Sequence, residues 1–296
     1  MNKDPFNYIG NKSKLLPQLL PLFPTDINMF VDLFAGGAST ALNTPAKKYM
    51  INDKNFQLIN ILKALKLYEE EDILDTIEST IEIFGLNKDN KEEFLNLREC
   101  YNEEPLVKTD NIEDRKVFLK TMALYTLITH SFNYLIHFNG SGGFSVPSGV
   151  GRSYFNDSLR SKLINYIRTF KETNVQFLSS DFRKVIDVLL EKNKLSKNDF
   201  VFVDPPYFIS DDSYSRIKYL KWTEREEKDL YEYLDKLNDK GIRFALTNIT
   251  EKGDMTNELL LQFAKKYKTI ELDSNHTNCN YQKNRVISKE VCIINY

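Results

Sequence analysis

An aspartate, two prolines and a tyrosine stand together at Asp204, Pro205, Pro206 and Tyr207, directly after the apolar run Phe200, Val201, Phe202 and Val203. The carboxylate and the Pro205 carbonyl are hydrogen-bond acceptors, and the phenol ring is a flat surface. Proline locks φ and lacks an N–H, so the pair ends any β-ladder. A stiff diproline holds the two acceptors and the ring in one relation, suited to placing acceptors beside a flat aromatic object. The plainer alternative is a turn after an edge strand, with Asp204 as a cap.

A second constellation lies upstream. Gly36 and Gly37 follow the apolar residues Phe30, Val31 and Leu33, and Ser39 and Thr40 can serve a helix N-terminus. Asp53 comes 17 residues after Gly36, at the end of the stretch "KKYMINDKN". A glycine turn followed at this distance by an acid is a dinucleotide or adenosyl fingerprint: the glycines admit a ligand to the backbone and the acid accepts from ribose hydroxyls. Neither G-x-G-x-x-G nor a G-K-[ST] P-loop is present, which argues against NAD and ATP.

The inventory for other chemistries is thin. Cys100, Cys279 and Cys292 are odd in number and far apart, and fit neither a disulfide framework nor zinc-ligand spacing. No metal is expected, and a reducing, cytoplasmic setting is. His130 falls on a helical pattern and reads as structural. The 296 residues are 42% hydrophobic and 28% charged, an ordinary globular composition. No apolar run approaches the roughly 20 residues of a membrane span, and "MNKDPFNYIG" has no apolar signal core.

The formal net charge of −2 argues against a wholly basic nucleic-acid binder. The charge is uneven, with 16 acids and 6 bases from Glu69 to Lys116, and 5 bases and one acid from His130 to Lys171. The second stretch is either a local positive face or an ordinary solvated surface.

The elements that must position these residues follow from periodicity. Strands are predicted near Phe30–Leu33, within Lys47–Asn55 ending at Asp53, over Asn174–Phe182 ending at Asp181, at the doubly buried Val201–Val203, over Gly241–Ile249, and over Glu290–Tyr296. Helices are predicted over Gln57–Leu67 and Glu224–Leu237. Alternating strands and helices imply an α/β architecture with a mostly parallel sheet, whose carboxyl ends receive ligands. Ile73–Phe84, Phe94–Cys100 and Asp114–Thr129 have helical spacing and high charge, and read as an inserted helical region. Ser131–Tyr154 is rich in Gly, Ser and Asn, yet carries Phe132, Tyr134, Phe138, Phe144 and Tyr154 and includes Arg152. Such a loop or hairpin suits a surface that touches something.

Taken in order, these segments resemble the Dam-type (D12 class, alpha group) S-adenosylmethionine-dependent DNA adenine-N6 methyltransferases. "NYIGNKSKLL" is similar to the family's N-terminal cofactor motif, "FVDLFAGGAS" to its glycine motif, "INDKN" to the acid after the second strand, and "SSDF" to the third cofactor segment. "VDPPYF" resembles the catalytic tetrad, "HFNGSGGFSVPSG" the target-recognition hairpin, and "EVCIINY" the final strand.

The resemblance implies a Rossmann-like class I methyltransferase sheet with an inserted, mainly helical target-recognition domain carrying a β-hairpin loop. Residues 1–62 and 155–296 would be catalytic and 63–154 would read the target. It implies S-adenosylmethionine as cofactor and S-adenosylhomocysteine as product. The cofactor set would be Tyr8, Gly10, Lys12, Asp32, Phe34, Ala35, Gly36, Gly37, Asp53, Asp181, Phe182 and Asp204. Lys12 would lie near the methionine carboxylate, Asp53 at the ribose, and Asp181 and Phe182 at the adenine. Asp204, Pro205, Pro206 and Tyr207 would be catalytic, acting on an adenine flipped out of the duplex.

Phe132, Asn133, Leu135, His137, Asn139, Ser145, Pro147 and Arg152 would meet double-stranded DNA. In a restriction–modification setting a cognate restriction endonuclease would be a further partner. Three positions depart from the family pattern: Tyr8 stands where Trp is frequent, Ser145 where Asn is common, and His137 where Arg is common. Two other readings keep the chain's motifs but change its role, an RNA adenine or protein glutamine N-methyltransferase and a non-catalytic DNA-binding relative.

Overall fold

The computed structural model describes residues 5–6, 12–109, 111–192, 194–209, 222–273 and 288–296; Tyr8 and Gly10 lie outside the described residues. Along the chain the strands are β1 (Met29–Asp32), β2 (Lys48–Asn52), β3 (Val175–Leu178), β4 (Phe200–Val203), β5 (Arg243–Lys252), β6 (Met255–Thr256), β7 (Lys268–Leu272) and β8 (Ser288–Ile294). The helices are α1 (Leu16–Leu19), α2 (Ser39–Asn43), α3 (Phe56–Leu67), α4 (Glu70–Phe84), α5 (Glu92–Glu103), α6 (Arg115–His130), α7 (Asp157–Glu172), α8 (Phe182–Glu191), α9 (Glu224–Asp239) and α10 (Glu258–Ala264). Two compact units result. One takes the stretch up to Ser13 with Gly36–Asn43 and Asn55–Ser179, and the other takes Lys14–Ala35, Thr44–Lys54 and Ser180–Tyr296.

In the second unit the strand order is β2-β1-β4-β5-β8-β7, with β6 paired to β5. The pairs β1–β2, β1–β4 and β4–β5 are parallel, and β8 runs antiparallel between β5 and β7. The order reverses around β1, with β2 on one side and β4 on the other. That is the switch point at which open α/β sheets leave a crevice. All four residues of β4 are buried, as its apolar run requires. Phe23 packs its ring 5.0 Å from Phe200 and 5.4 Å from Phe202, and Phe30 lies 5.6 Å from Phe200. Because β8 is antiparallel, its first residues arrive at the edge where β4 and β5 end; Glu290 lies opposite Ile249.

Three elements here differ from the sequence expectation. The strand expected to reach Asp181 is β3, which stops at Leu178. Asp181 instead caps α8, accepting from the Arg183 N–H at 3.1 Å. The strand β7 and the short helix α10 are not expected from the sequence; α10 is only seven residues long, with an apolar run that does not separate helix from strand. "KTIEL" is an edge strand that alternates charge outward, a usual protection for an exposed edge.

The first unit is built on α6, most of whose residues are buried. Asp114 caps its start, Asn156 caps α7, and Gly85 ends α4 at φ 65°, the left-handed stop that glycine accepts most easily. The Lys66 ammonium donates to the carbonyls of Phe170 and Thr173, each at 2.8 Å, closing the end of α7.

Three of the five bases in the basic stretch are paired with acids. Arg160, Arg168 and Lys171 on α7 pair with Glu78, Glu70 and Glu69 at 3.0, 2.8 and 2.8 Å. These three pairs join the base-rich segment to the acid-rich one, a register that the counts by themselves cannot give. No helix among the described residues is long and apolar enough to cross a membrane.

Candidate active site

At the end of β4, in the second unit, register fixes the first neighbour. Val203 lies opposite Leu246 of β5, which brings Thr247 beside Asp204. The Thr247 hydroxyl donates to Asp204 Oδ1 at 2.7 Å. Tyr207 follows the diproline with its ring partly exposed and its hydroxyl end buried. That hydroxyl is 2.7 Å from Glu290 Oε1 and 3.4 Å from Asp204 Oδ1, so its one hydrogen goes to Glu290. Burial first, and then the two carboxylates, push the Tyr207 phenol well above its ordinary value. The group is therefore a protonated donor at every physiological pH.

The neighbouring strand ends are tied together by a buried asparagine. Asn52, the last residue of β2, donates to the Leu33 carbonyl at 2.9 Å and to the Ser180 carbonyl at 3.1 Å, and accepts from Ser180 N–H at 3.0 Å. This holds the loops that carry Phe34 and Phe182. Their rings are 5.6 Å apart, and Trp222 packs 5.5 Å from Phe34 and 5.8 Å from Phe182. Ala35 donates to the Asn52 carbonyl at 2.8 Å. Asp32, at the end of β1, is buried, and Asp53, just past β2, is half-buried. The Asp181 carboxylate is held by the Arg183 guanidinium at 3.0 Å and lies 3.7 Å from Lys54.

Trp222 is positioned by Glu227 of α9, which is fully buried. Glu227 Oε2 accepts from the indole N–H at 2.5 Å. Its Oε1 accepts from Tyr231 at 2.5 Å, Asn257 at 2.9 Å and Asn248 at 3.1 Å. A capping box between Thr223 and Glu226 starts α9 directly after the tryptophan.

Sequence reasoning singled out neither Asn52, Trp222, Glu227, Thr247 nor Glu290. The available signals were an Asn-Asp pair at a strand end, the chain's one tryptophan, and polar residues interrupting apolar strands.

In the first unit, Lys12 is buried in a short 3-10 turn, Lys12–Lys14. Gly36 has φ 50°, so the glycine turn does use the left-handed region. Ser131–Tyr154 forms a closed loop, with bridges Ser131–Ser148 and Phe138–Phe144 and with Phe138, Phe144 and Val146 buried. Asn102 of α5 braces it, accepting from Phe144 N–H at 2.7 Å and donating to its carbonyl at 3.0 Å.

Phe132 and Pro147, both exposed, are joined by a Phe132 N–H to Pro147 carbonyl bond of 2.9 Å. His137 Nδ1 and Ser145 Oγ are 2.5 Å apart. Asn139 Oδ1 accepts from Ser141 and from Gly143 N–H, so its oxygen shapes the turn. Asn133 and Tyr134 both take positive φ, 53° and 56°, an uncommon pair of left-handed non-glycine residues. Leu135 is half-buried and Arg152 exposed. His130 is buried with its Nδ1 2.8 Å from the Thr126 carbonyl, and burial lowers its pKa, in keeping with a structural role.

The chain is similar to known proteins over nearly its whole length. Type II methyltransferase M.FokI of Planomicrobium okeanokoites is 38% identical over 296 residues, covering 99% of this chain and 43% of that protein. Modification methylase StsI of Streptococcus sanguinis is 36% identical over 298 residues, again covering 99% of this chain and 43% of the relative. The chain thus spans less than half the length of these two relatives. Type II methyltransferase M1.LlaDCHI of Lactococcus lactis subsp. cremoris is 25% identical over 303 residues and is covered over 96% of its length. A profile of the D12 class N6 adenine-specific DNA methyltransferases matches residues 8–277. With the profile extending over nearly the whole chain and the acceptor–ring pair in place at the end of β4, the chain belongs to the D12 class N6 adenine-specific DNA methyltransferase family.

Proposed function

We propose that this chain is a site-specific DNA adenine-N6 methyltransferase that uses S-adenosylmethionine and acts on an adenine flipped out of a short duplex site. The observation that carries the proposal is the Asp204 carboxylate, oriented by Thr247 at the end of β4 with the Tyr207 ring three residues on. The exocyclic N6 of adenine is a poor nucleophile because its lone pair is delocalised into the ring. Asp204 and the Pro205 carbonyl accept its two hydrogens, and those bonds strengthen as the nitrogen becomes tetrahedral and positive. Tyr207 offers its ring to the base face.

The residues present fit the cofactor. Phe34, Phe182 and Trp222 form an aromatic group of the kind that receives an adenine ring, and Asp53 offers a carboxylate to a ribose. When bound, S-adenosylmethionine supplies a methyl group on a positively charged sulfur. The assignments of Asp32, Ala35 and Asp181, and of Tyr8, Gly10, Lys12, Gly36 and Gly37, remain proposals on the family resemblance. So does the division into catalytic residues 1–62 and 155–296 and target-reading residues 63–154. The names of the relatives support a restriction–modification system with a cognate endonuclease; action in the cytoplasm is part of the same proposal.

Transfer of tritium from labelled cofactor to duplex DNA, RNA and protein tests the proposal. Label on duplex DNA adenine is expected, and label confined to RNA or protein overturns it. Asp53→Ala is expected to weaken cofactor binding at least tenfold, roughly 1.4 kcal/mol, with a smaller effect on kcat, because a ribose contact is made equally in ground and transition states. The fluorescence of Trp222, the chain's one tryptophan, reports the titration. Unchanged affinity removes Asp53 from the site.

Specificity is expected to involve His137. An arginine there would make two bonds to guanine O6 and N7, worth about 1–3 kcal/mol of discrimination. His137 has Nδ1 engaged by Ser145 and meets a base through Nε2 alone. The base facing His137 therefore differs from the guanine that an arginine would read, or is read less strictly. Sequencing the sites methylated by His137→Ala checks this; an unchanged motif with unchanged stringency removes His137 from the recognition set.

A further inference from the structure

We infer that Thr247 and Glu290 are positioning residues of the transfer reaction, Thr247 fixing the rotation of the Asp204 carboxylate and Glu290 fixing the tilt of the Tyr207 ring. The inference deepens the function proposed above and rests on it.

An aspartate's terminal torsion is broad and roughly two-fold, so a carboxylate on a turn does not by itself hold one plane. Thr247 supplies the missing constraint. It is fully buried in β5, its β-branched side chain is stiff at χ1, and its hydroxyl donates to Asp204 Oδ1 at 2.7 Å. The other acceptor in reach, the Val203 carbonyl, is at 3.5 Å. Packing does not require the hydroxyl, since valine has nearly the same shape and higher strand preference.

Glu290 acts on the ring. Only 3% of it is exposed, and burying a carboxylate in an apolar strand is costly unless donors meet it. It meets the Tyr207 hydroxyl at 2.7 Å, from a strand whose reversed direction delivers residue 290 to the end of β4. Glu290 thus anchors the far end of the ring while the diproline anchors the near end.

Small errors in the placement of reacting groups are expensive, about 10²-fold for a misplacement on the order of 1 Å. The test is the kinetics of tritiated methyl transfer to duplex DNA. Thr247→Val is expected to lower kcat by about 10- to 100-fold, with KM for cofactor and DNA within about twofold, because the lost bond acts on alignment rather than on binding. Thr247→Ser restores the hydroxyl and should recover kcat to within about threefold of the parent. Glu290→Gln keeps an acceptor oxygen and should stay close to the parent, whereas Glu290→Met should fall as Thr247→Val does.

A Thr247→Val protein within threefold of the parent overturns the inference for Thr247. Equal losses in the Val and Ser proteins, tracking lowered melting temperatures, do so too, by assigning the residue to packing. If the Val protein does not fold, the kcat of Thr247→Ser relative to Thr247→Ala decides, and an absent difference overturns the role. Glu290→Met at the parent's rate overturns the inference for Glu290. Failure of the parent itself to transfer label overturns the proposed function and this inference with it; an active parent with unsplit variants overturns this inference alone.

Discussion

Asp204→Ala is expected to lower kcat by about 10²-fold or more, the usual consequence of deleting a placed acceptor that acts mainly in the transition state. Cofactor and DNA affinities should stay within a few-fold. The carboxylate sits at the end of a strand whose four residues are all buried. Its loss therefore leaves the β1–β4–β5 ladder intact and removes one hydrogen-bond acceptor. The variant leaves the Thr247 hydroxyl without its 2.7 Å acceptor, although the Val203 carbonyl at 3.5 Å can take the hydrogen after a small shift. The fold should therefore survive with a modest fall in melting temperature. Single-turnover methyl transfer separates chemistry from product release, and Trp222 fluorescence reports cofactor binding in the same protein. A rate within a few-fold of the parent rejects Asp204 as the acceptor.

Glu227→Ala is expected to be the more damaging change to stability, by about 3 kcal/mol or more, because it strands several buried donors at about 1–3 kcal/mol each. The donors are the Trp222 indole, the Tyr231 phenol and the amides of Asn248 and Asn257. Burial, the largest cause of the raised Tyr231 pKa, persists without Glu227, so the phenol does not relieve the loss by ionising.

Glu227→Gln is the sharper probe. Its carbonyl oxygen can replace Oε1 and keep three of the bonds, but its amide then faces the indole N–H, donor against donor. The glutamine variant should lose less stability than the alanine variant and still release Trp222, shifting its emission to longer wavelength. Denaturant unfolding gives the stabilities and the emission spectrum gives the release. A glutamine variant with the parent's spectrum shows that Glu227 does not hold the tryptophan.

Much of the framework is legible in residues. The run Phe200–Val203 stopping at Asp204-Pro205-Pro206 reads as a strand cut short, because proline supplies no ladder donor, and the structure decides that it is a buried strand rather than an edge one. Gly36 marks a left-handed turn, since few other residues adopt φ 50° without strain. The distance to Asp53 places an acid past the second strand. These are local consequences of backbone chemistry, readable along the chain. The ordered set of motifs then names the family, and the family supplies the expectation of cofactor, base and hairpin.

What surrounds those residues depends on pairing between segments far apart in sequence. Thr247 reaches Asp204 because β4 and β5 pair with Val203 opposite Leu246; a slip of one residue would turn its hydroxyl to the other face. Glu290 reaches Tyr207 because β8 runs antiparallel, and strand direction is not encoded in a strand's own composition. Three bases of α7 meet acids at α4 through helix packing, so charges far apart in sequence pair in space. Trp222 stands beside Phe34 and Phe182 only because a buried carboxylate one helical turn into α9 takes its indole hydrogen. By itself the sequence determined which residues could do the chemistry. The register and direction of β5 and β8 decided what holds them in place, because hydrogen-bond partners 43 and 83 residues away are set by the sheet and not by the chain between them.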